Sequence, residues 1–160
     1  MDSMKAWYVL GGIALLVLIG FGYYAISPLF RNVKIDEALP EEKQTEVQSM
    51  EQSQSEVVSA PVVGTIGHPA SGTARIVEAD GKKYARYENF KTINGPDLYV
   101  YIAKDLDAKE FVNLGLVRAT EGNINYEIPE GVDVLDYPYV LTWCKAFGVL
   151  FNYADLSKVR

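Results

Sequence analysis

Two side chains in this sequence stand out for the chemistry they could carry: Cys144, the single cysteine, and His68, the single histidine. Cys144 ends Tyr-Val-Leu-Thr-Trp-Cys, an apolar run predicted to be an inner strand. An unpaired cysteine in such a run behaves first of all as a small buried hydrophobe. Its sulfur otherwise leaves three chemistries open: a redox-active thiol, a soft ligand to haem iron or copper, and a disulfide with a second chain. Lys145 follows it, but on a strand that side chain points to the other face and need not activate the thiol. His68 stands in Gly67-His68-Pro69, a loop ahead of the first expected strand, where a histidine bonded to backbone is the simplest reading.

Other chemistries lack their residues. One cysteine excludes an internal disulfide framework and any multi-cysteine zinc or iron–sulfur site, and one histidine leaves almost no room for a histidine-built one, so no metal centre of those kinds is expected. No glycine-rich loop ends in Lys-Ser/Thr, and Gly64, Gly67 and Gly72 lack the spacing of a dinucleotide fingerprint. A hydrolase triad would have to use His68, and no nucleophile-elbow sequence is present. Asp133 and Asp136 read as solvated loop residues, not as an acid/base pair. There is thus no hydrolase, kinase or nucleotide-binding signature, and redox work is the enzyme-like role left open. A net charge of −6 argues against nucleic acid as a partner.

The elements that must position these residues fall into three segments. Residues 1–35 carry net +2, residues 36–60 net −6 and residues 61–160 net −2. Within the first, residues 6–26 contain no charge; at about 1.5 Å per residue such a helix matches the roughly 30 Å hydrocarbon core of a bilayer. Trp7, Tyr8, Tyr23 and Tyr24 lie at its two ends, where amphipathic rings favour the membrane interfaces. The run is longer than a signal-peptide core, and Pro28 follows the one small-x-small site, Ala25-Ile26-Ser27, so an uncleaved anchor in the cell membrane is expected. Lys5 before the span and Arg31 and Lys34 after it slightly favour a cytoplasmic C-terminal part.

Residues 36–61 are rich in Glu, Gln and Ser and lack aromatic residues, the composition of a disordered tether, with a transient helix an option over 41–56. From residue 62 onward, short β-like runs alternate with turn signals every 8–12 residues or so. The expected strands are 73–77, 83–90, 97–103, 112–117, 124–128, 139–144 and 149–153, with turns at Asp80-Gly81, Asn94-Gly95-Pro96 and Glu121-Gly122-Asn123. The fold expected is mainly β, an antiparallel sandwich or closely related barrel. Two strands are apolar on both faces: Leu98, Val100 and Ile102 oppose Tyr99, Tyr101 and Ala103, while Val140, Thr142 and Cys144 oppose Tyr139, Leu141 and Trp143. Such strands are central and covered on both sides, or offer an aromatic, tyrosine-rich face to a ligand or protein.

An ordered set of short motifs gives the region from about 64 to 156 a family likeness. They are Gly67-His68, Ser71-Gly72-Thr73-Ala74, Asn89-Phe90, Gly95-Pro96-Asp97-Leu98-Tyr99-Val100-Tyr101, Leu114-Gly115, Gly122-Asn123, Tyr126-Glu127-Ile128-Pro129, and Trp143-Cys144 with Phe147, Phe151, Ala154 and Leu156. The region resembles the DM-thirteen, or electron-transfer DM-thirteen, domain. The resemblance implies a β-sandwich outside the cytoplasm, and we take it over the one-residue charge bias. It also implies a redox role for Cys144, as a bare thiol or as a ligand to a group such as haem, with His68 as the natural second ligand and a redox protein as partner. The remaining motif residues read as structural. Gly95 is expected to supply a positive φ and Pro96 a fixed one, Asp97 to cap that turn, and Tyr126 and Pro129 to bracket a short strand.

Overall fold

The computed structural model describes residues 2–27, 31–40 and 59–159. Among the described residues one α-helix, α1 (Asp2–Ile26), precedes nine strands: β1 (Lys34–Asp36), β2 (Ala60–Gly64), β3 (Ala70–Ala79), β4 (Lys82–Thr92), β5 (Leu98–Ala103), β6 (Phe111–Leu116), β7 (Glu121–Ile128), β8 (Tyr139–Cys144) and β9 (Val149–Asp155). Within α1, Trp7–Ile26 is long and apolar enough to cross a membrane, as an anchor or a signal sequence would be. The tether expected over 36–61 lies outside the described residues from 41 to 58.

The strands form one sheet in the order β1-β7-β4-β3-β2-β9-β8-β5-β6, curled into a half-barrel, so the architecture is mainly β as expected. β2 makes the corner. Ala60 and Pro61 pair with β3, and Val62, Val63 and Gly64 pair with β9, so one short strand belongs to both halves. Curling turns one face of each half toward a common core that includes Tyr87, Phe90, Ile102, Ile124 and Val140. The β3–β4 turn is the Asp80-Gly81 pair, both at positive φ (50° and 72°), as a two-residue hairpin of this hand requires.

The two-faced strands lie as their residue pattern predicts. Val100, Ile102 and Val140 enter the main core, whereas Tyr101, Ala103 and Leu141 form a second cluster on the outer face. Phe111 stacks on Tyr101 at 4.2 Å, and Leu106 and Ala108 pack against the same cluster from the β5–β6 loop. Tyr99, Tyr139, Trp143 and Tyr153 remain half-buried around its rim.

The sequence shows little of β1. Residues 33–38 fall where an anchor gives way to a tether, yet Lys34, Ile35 and Asp36 pair in parallel with Glu121, Gly122 and Asn123 of β7. Gly122 is therefore not a turn residue as expected. It lies within β7 at φ +119°, where a Cβ would strike the Ile35 carbonyl oxygen.

Candidate functional site

The Gly95-Pro96-Asp97 and Trp143-Cys144 motifs meet at one place. β5 and β8 are antiparallel with Leu98 opposite Cys144, which brings the turn before β5 against the turn after β8. Cys144 has no solvent exposure and clusters with Leu98 and Phe151. Its thiol donates to the Pro96 carbonyl oxygen at 3.0 Å, and one residue on, the Lys145 N–H donates to the Asp97 carbonyl oxygen at 3.0 Å. Backbone N–H groups of Phe147 and Ala146 also reach the sulfur and favour its thiolate. Burial outweighs them and pushes the thiol pKa up, so Cys144 rests as a neutral S–H.

The turn itself differs from expectation in which residue bears the unusual conformation. Asp97, not Gly95, takes the positive φ, at 57°. The side-chain cap comes from Asn94, whose Oδ1 accepts from the Gly95 N–H at 2.9 Å. Gly95 serves close packing instead, since a Cβ there would stand 2.8 Å from Phe151 Cζ.

His68 lies at the same end of the sheet but does not reach the sulfur as a partner. Its ring stacks on Phe151 at 3.9 Å between centroids, and Phe151 in turn packs with Cys144. Thr65 Oγ1 stands 3.0 Å from His68 Nδ1 and 2.7 and 3.0 Å from the carbonyl oxygens of Leu150 and Phe151. The single hydroxyl proton goes to those carbonyls, which can only accept. His68 Nδ1–H is therefore the donor to Thr65, and in the neutral ring Nε2 holds the lone pair.

The other motif residues shape the scaffold. Asn89 bulges β4 with φ 48°, its N–H donating to Asn123 Oδ1 at 2.9 Å, and Phe90 stacks beneath on Tyr87 at 4.3 Å. Tyr126 is buried, its hydroxyl accepting from the Arg118 N–H at 3.1 Å. Pro129 is exposed just after β7. Tyr99 and Trp143 are opposite one another on the outer face, and the Lys145 ammonium lies 5.3 Å from the Tyr99 ring centroid.

A haem held between Cys144 and His68 would need both ligands free and facing one slot. Here the Phe151 ring fills the space beside His68, and the Cys144 thiol is directed at the Pro96 carbonyl. The residues do not fit that group as arranged. Among the described residues no group of three or more His, Cys, Asp or Glu is placed to hold a metal ion.

Fold and site thus define a small β domain that encloses one thiol in a minor cluster beside its main core, with an apolar helix ahead of it. Residues 63–156 match the family described as Electron transfer DM13, and the chain belongs to that family. No curated protein and no solved structure matches the chain.

Proposed function

We propose that the protein is a membrane-tethered electron-transfer module whose redox group is the bare thiol of Cys144. The observation that carries this reading is the meeting of two of the motifs, Gly95-Pro96-Asp97 and Trp143-Cys144, at that sulfur, the Pro96 carbonyl accepting from the thiol and the N–H groups of the following turn favouring its thiolate. Each protonation state has a partner: the carbonyl for S–H, the two N–H groups for S⁻. The helix Trp7–Ile26 supplies the tether to the cell membrane, and the domain stands on its extracytoplasmic face, where disulfides persist.

The electron step is thiol–disulfide exchange with a disulfide-bearing acceptor and a donor thiol. When the 145–148 turn lifts, Cys144 loses its proton to solvent and its sulfur attacks one sulfur of the acceptor disulfide. The new S–S bond forms as the old one breaks, and the departing sulfur takes up a proton. A donor thiol then attacks the Cys144 sulfur and expels the second acceptor thiol. A second donor thiol removes the first as a donor disulfide and restores Cys144 S–H. Two electrons have passed from the donor pair to the acceptor.

The test compares the full chain and Cys144→Ser as catalysts of dithiothreitol reduction of a disulfide-linked dye. Wild type accelerates the reaction and the serine variant, folded by circular dichroism, does not; equal rates would reject the thiol role.

A second reading rests on the half-exposed aromatic rim of Tyr99, Tyr139, Trp143 and Tyr153, a surface suited to binding a ligand or protein without chemistry. Under that reading Tyr99→Ala weakens partner capture while Cys144→Ser leaves it intact.

A further inference from the structure

The exposed flank of β7 is built to hold an extended peptide, and the chain's own residues 33–38 occupy it. The Val33 carbonyl accepts from the N–H groups of Thr120 at 2.8 Å and Glu121 at 3.1 Å, and the Val33 N–H donates to Thr120 Oγ1 at 3.1 Å. Further along, the Glu37 N–H donates to the Asn123 carbonyl at 2.8 Å. Side chains then grip the end of the segment. Arg118 pairs with both carboxylate oxygens of Glu37, at 2.6 and 3.1 Å, and the Asn125 N–H donates to the same group at 2.7 Å. Arg86, only 5% exposed, directs Nη1 to the carbonyl oxygens of Glu37 at 3.2 Å and Ala38 at 3.1 Å.

Two facts set this apart from an ordinary edge pairing. The groups that grip residues 33–38 belong to the region matching the family, 63–156, whereas the gripped segment lies outside it. The receiving edge also carries a backbone cut-out at Gly122, where any side chain would strike the Ile35 carbonyl. Buried Arg86 and the Gly122 gap meet the backbone of one peptide segment, while Arg118 and the Asn125 N–H meet the carboxylate at position 37.

We propose that β7 and its flanking Arg86, Arg118 and Asn125 form a strand-binding site for an extended acidic peptide, filled in cis by residues 33–38. The sheet is thereby joined to α1 through β1 and not through the acidic stretch that leads to β2. Seven residues separate α1 from β1, a reach of about 25 Å when extended, against about 80 Å for the 23 residues between β1 and β2. The domain is held close to the end of the helix. This placement does not depend on the redox reading of Cys144.

The test uses the full chain in detergent micelles, with an N-terminal affinity tag and a protease site inserted between Ser49 and Met50. After cleavage the C-terminal fragment stays with the tag. Glu37→Arg, which sets a third cation beside Arg86 and Arg118, releases it on cleavage, whereas the uncut variant remains bound. Excess synthetic peptide of residues 31–40 displaces the cut wild-type fragment, and the same peptide with Glu37→Arg does not. Release of the cut wild-type domain would overturn the proposal, as would equal retention of the cut Glu37→Arg protein. The peptide competition keeps the test independent of how well any variant folds.

Discussion

The enclosure of Cys144 can be opened from behind by a single methyl group. A Cβ at Gly95 would lie 2.8 Å from Phe151 Cζ and 3.0 Å from Cε1, both side-chain atoms, at a position with no positive φ to strain. In wild type, exposing the sulfur breaks its bond to Pro96 and the Lys145–Asp97 backbone bond, about 1 kcal/mol each. It also uncovers parts of Leu98 and Phe151, about 2 kcal/mol more. A cost of about 4 kcal/mol slows alkylation of the thiol roughly 10³-fold relative to a free cysteine. Gly95→Ala overpacks the closed state by about 2 kcal/mol and relieves that strain on opening, so labelling rises about 30-fold. The assay is the alkylation rate with iodoacetamide at pH 7.5, followed by intact mass. Ile124→Val serves as control: this fully buried β7 side chain loses about 1 kcal/mol of stability without touching the turn. Labelling of Gly95→Ala no faster than wild type would refute the reasoning. So would an Ile124→Val rate that rises in step with its lost stability, because the sulfur would then be reached by global unfolding.

Three further outcomes follow from the same geometry. Burial raises the Cys144 pKa, so the folded state keeps a proton that the unfolded chain releases above about pH 8.5; stability present below that pH declines as pH rises toward the folded value, and Cys144→Ala removes this slope in urea midpoints from pH 7 to 10. Hydrogen bonding from Arg75, with help from Arg86, holds the Glu88 carboxyl below its ordinary value. Its contribution, present above about pH 4.3, is lost as pH falls through the folded pKa, and Glu88→Gln flattens the acid limb of a Tm–pH curve. Tyr126→Phe leaves the Arg118 N–H without its acceptor and lowers stability by about 1 kcal/mol, a Tm decrease of about 5 °C by calorimetry.

What was legible in the sequence was what periodicity can carry. The alternation in Leu98–Ala103 and Tyr139–Cys144 identified the inner and outer faces, since side chains on a strand alternate whatever the partners. Asp80-Gly81 marked its hairpin because few residue pairs accept two positive φ values. β1 had no such signal: three residues, Lys-Ile-Asp, beside an acidic stretch, paired in parallel with a strand 87 residues away. Its one trace is Gly122, a turn residue by sequence that lies against the Ile35 backbone in the fold. The same limit applies to the site. Only the family resemblance put Cys144 and His68 together, and placing Phe151 between their environments depends on the bulge between β8 and β9, a tertiary feature.

The most direct measurement is the redox state of Cys144 in the full chain, equilibrated across a series of reduced and oxidised glutathione ratios and quantified by mass spectrometry after acid quenching. The account predicts a reversible mixed disulfide on Cys144 that forms and disappears along a single titration curve with the fold intact. A thiol that stays unmodified in the folded protein at every ratio would contradict it, leaving Cys144 as a packing residue and the electron-transfer reading without its redox group.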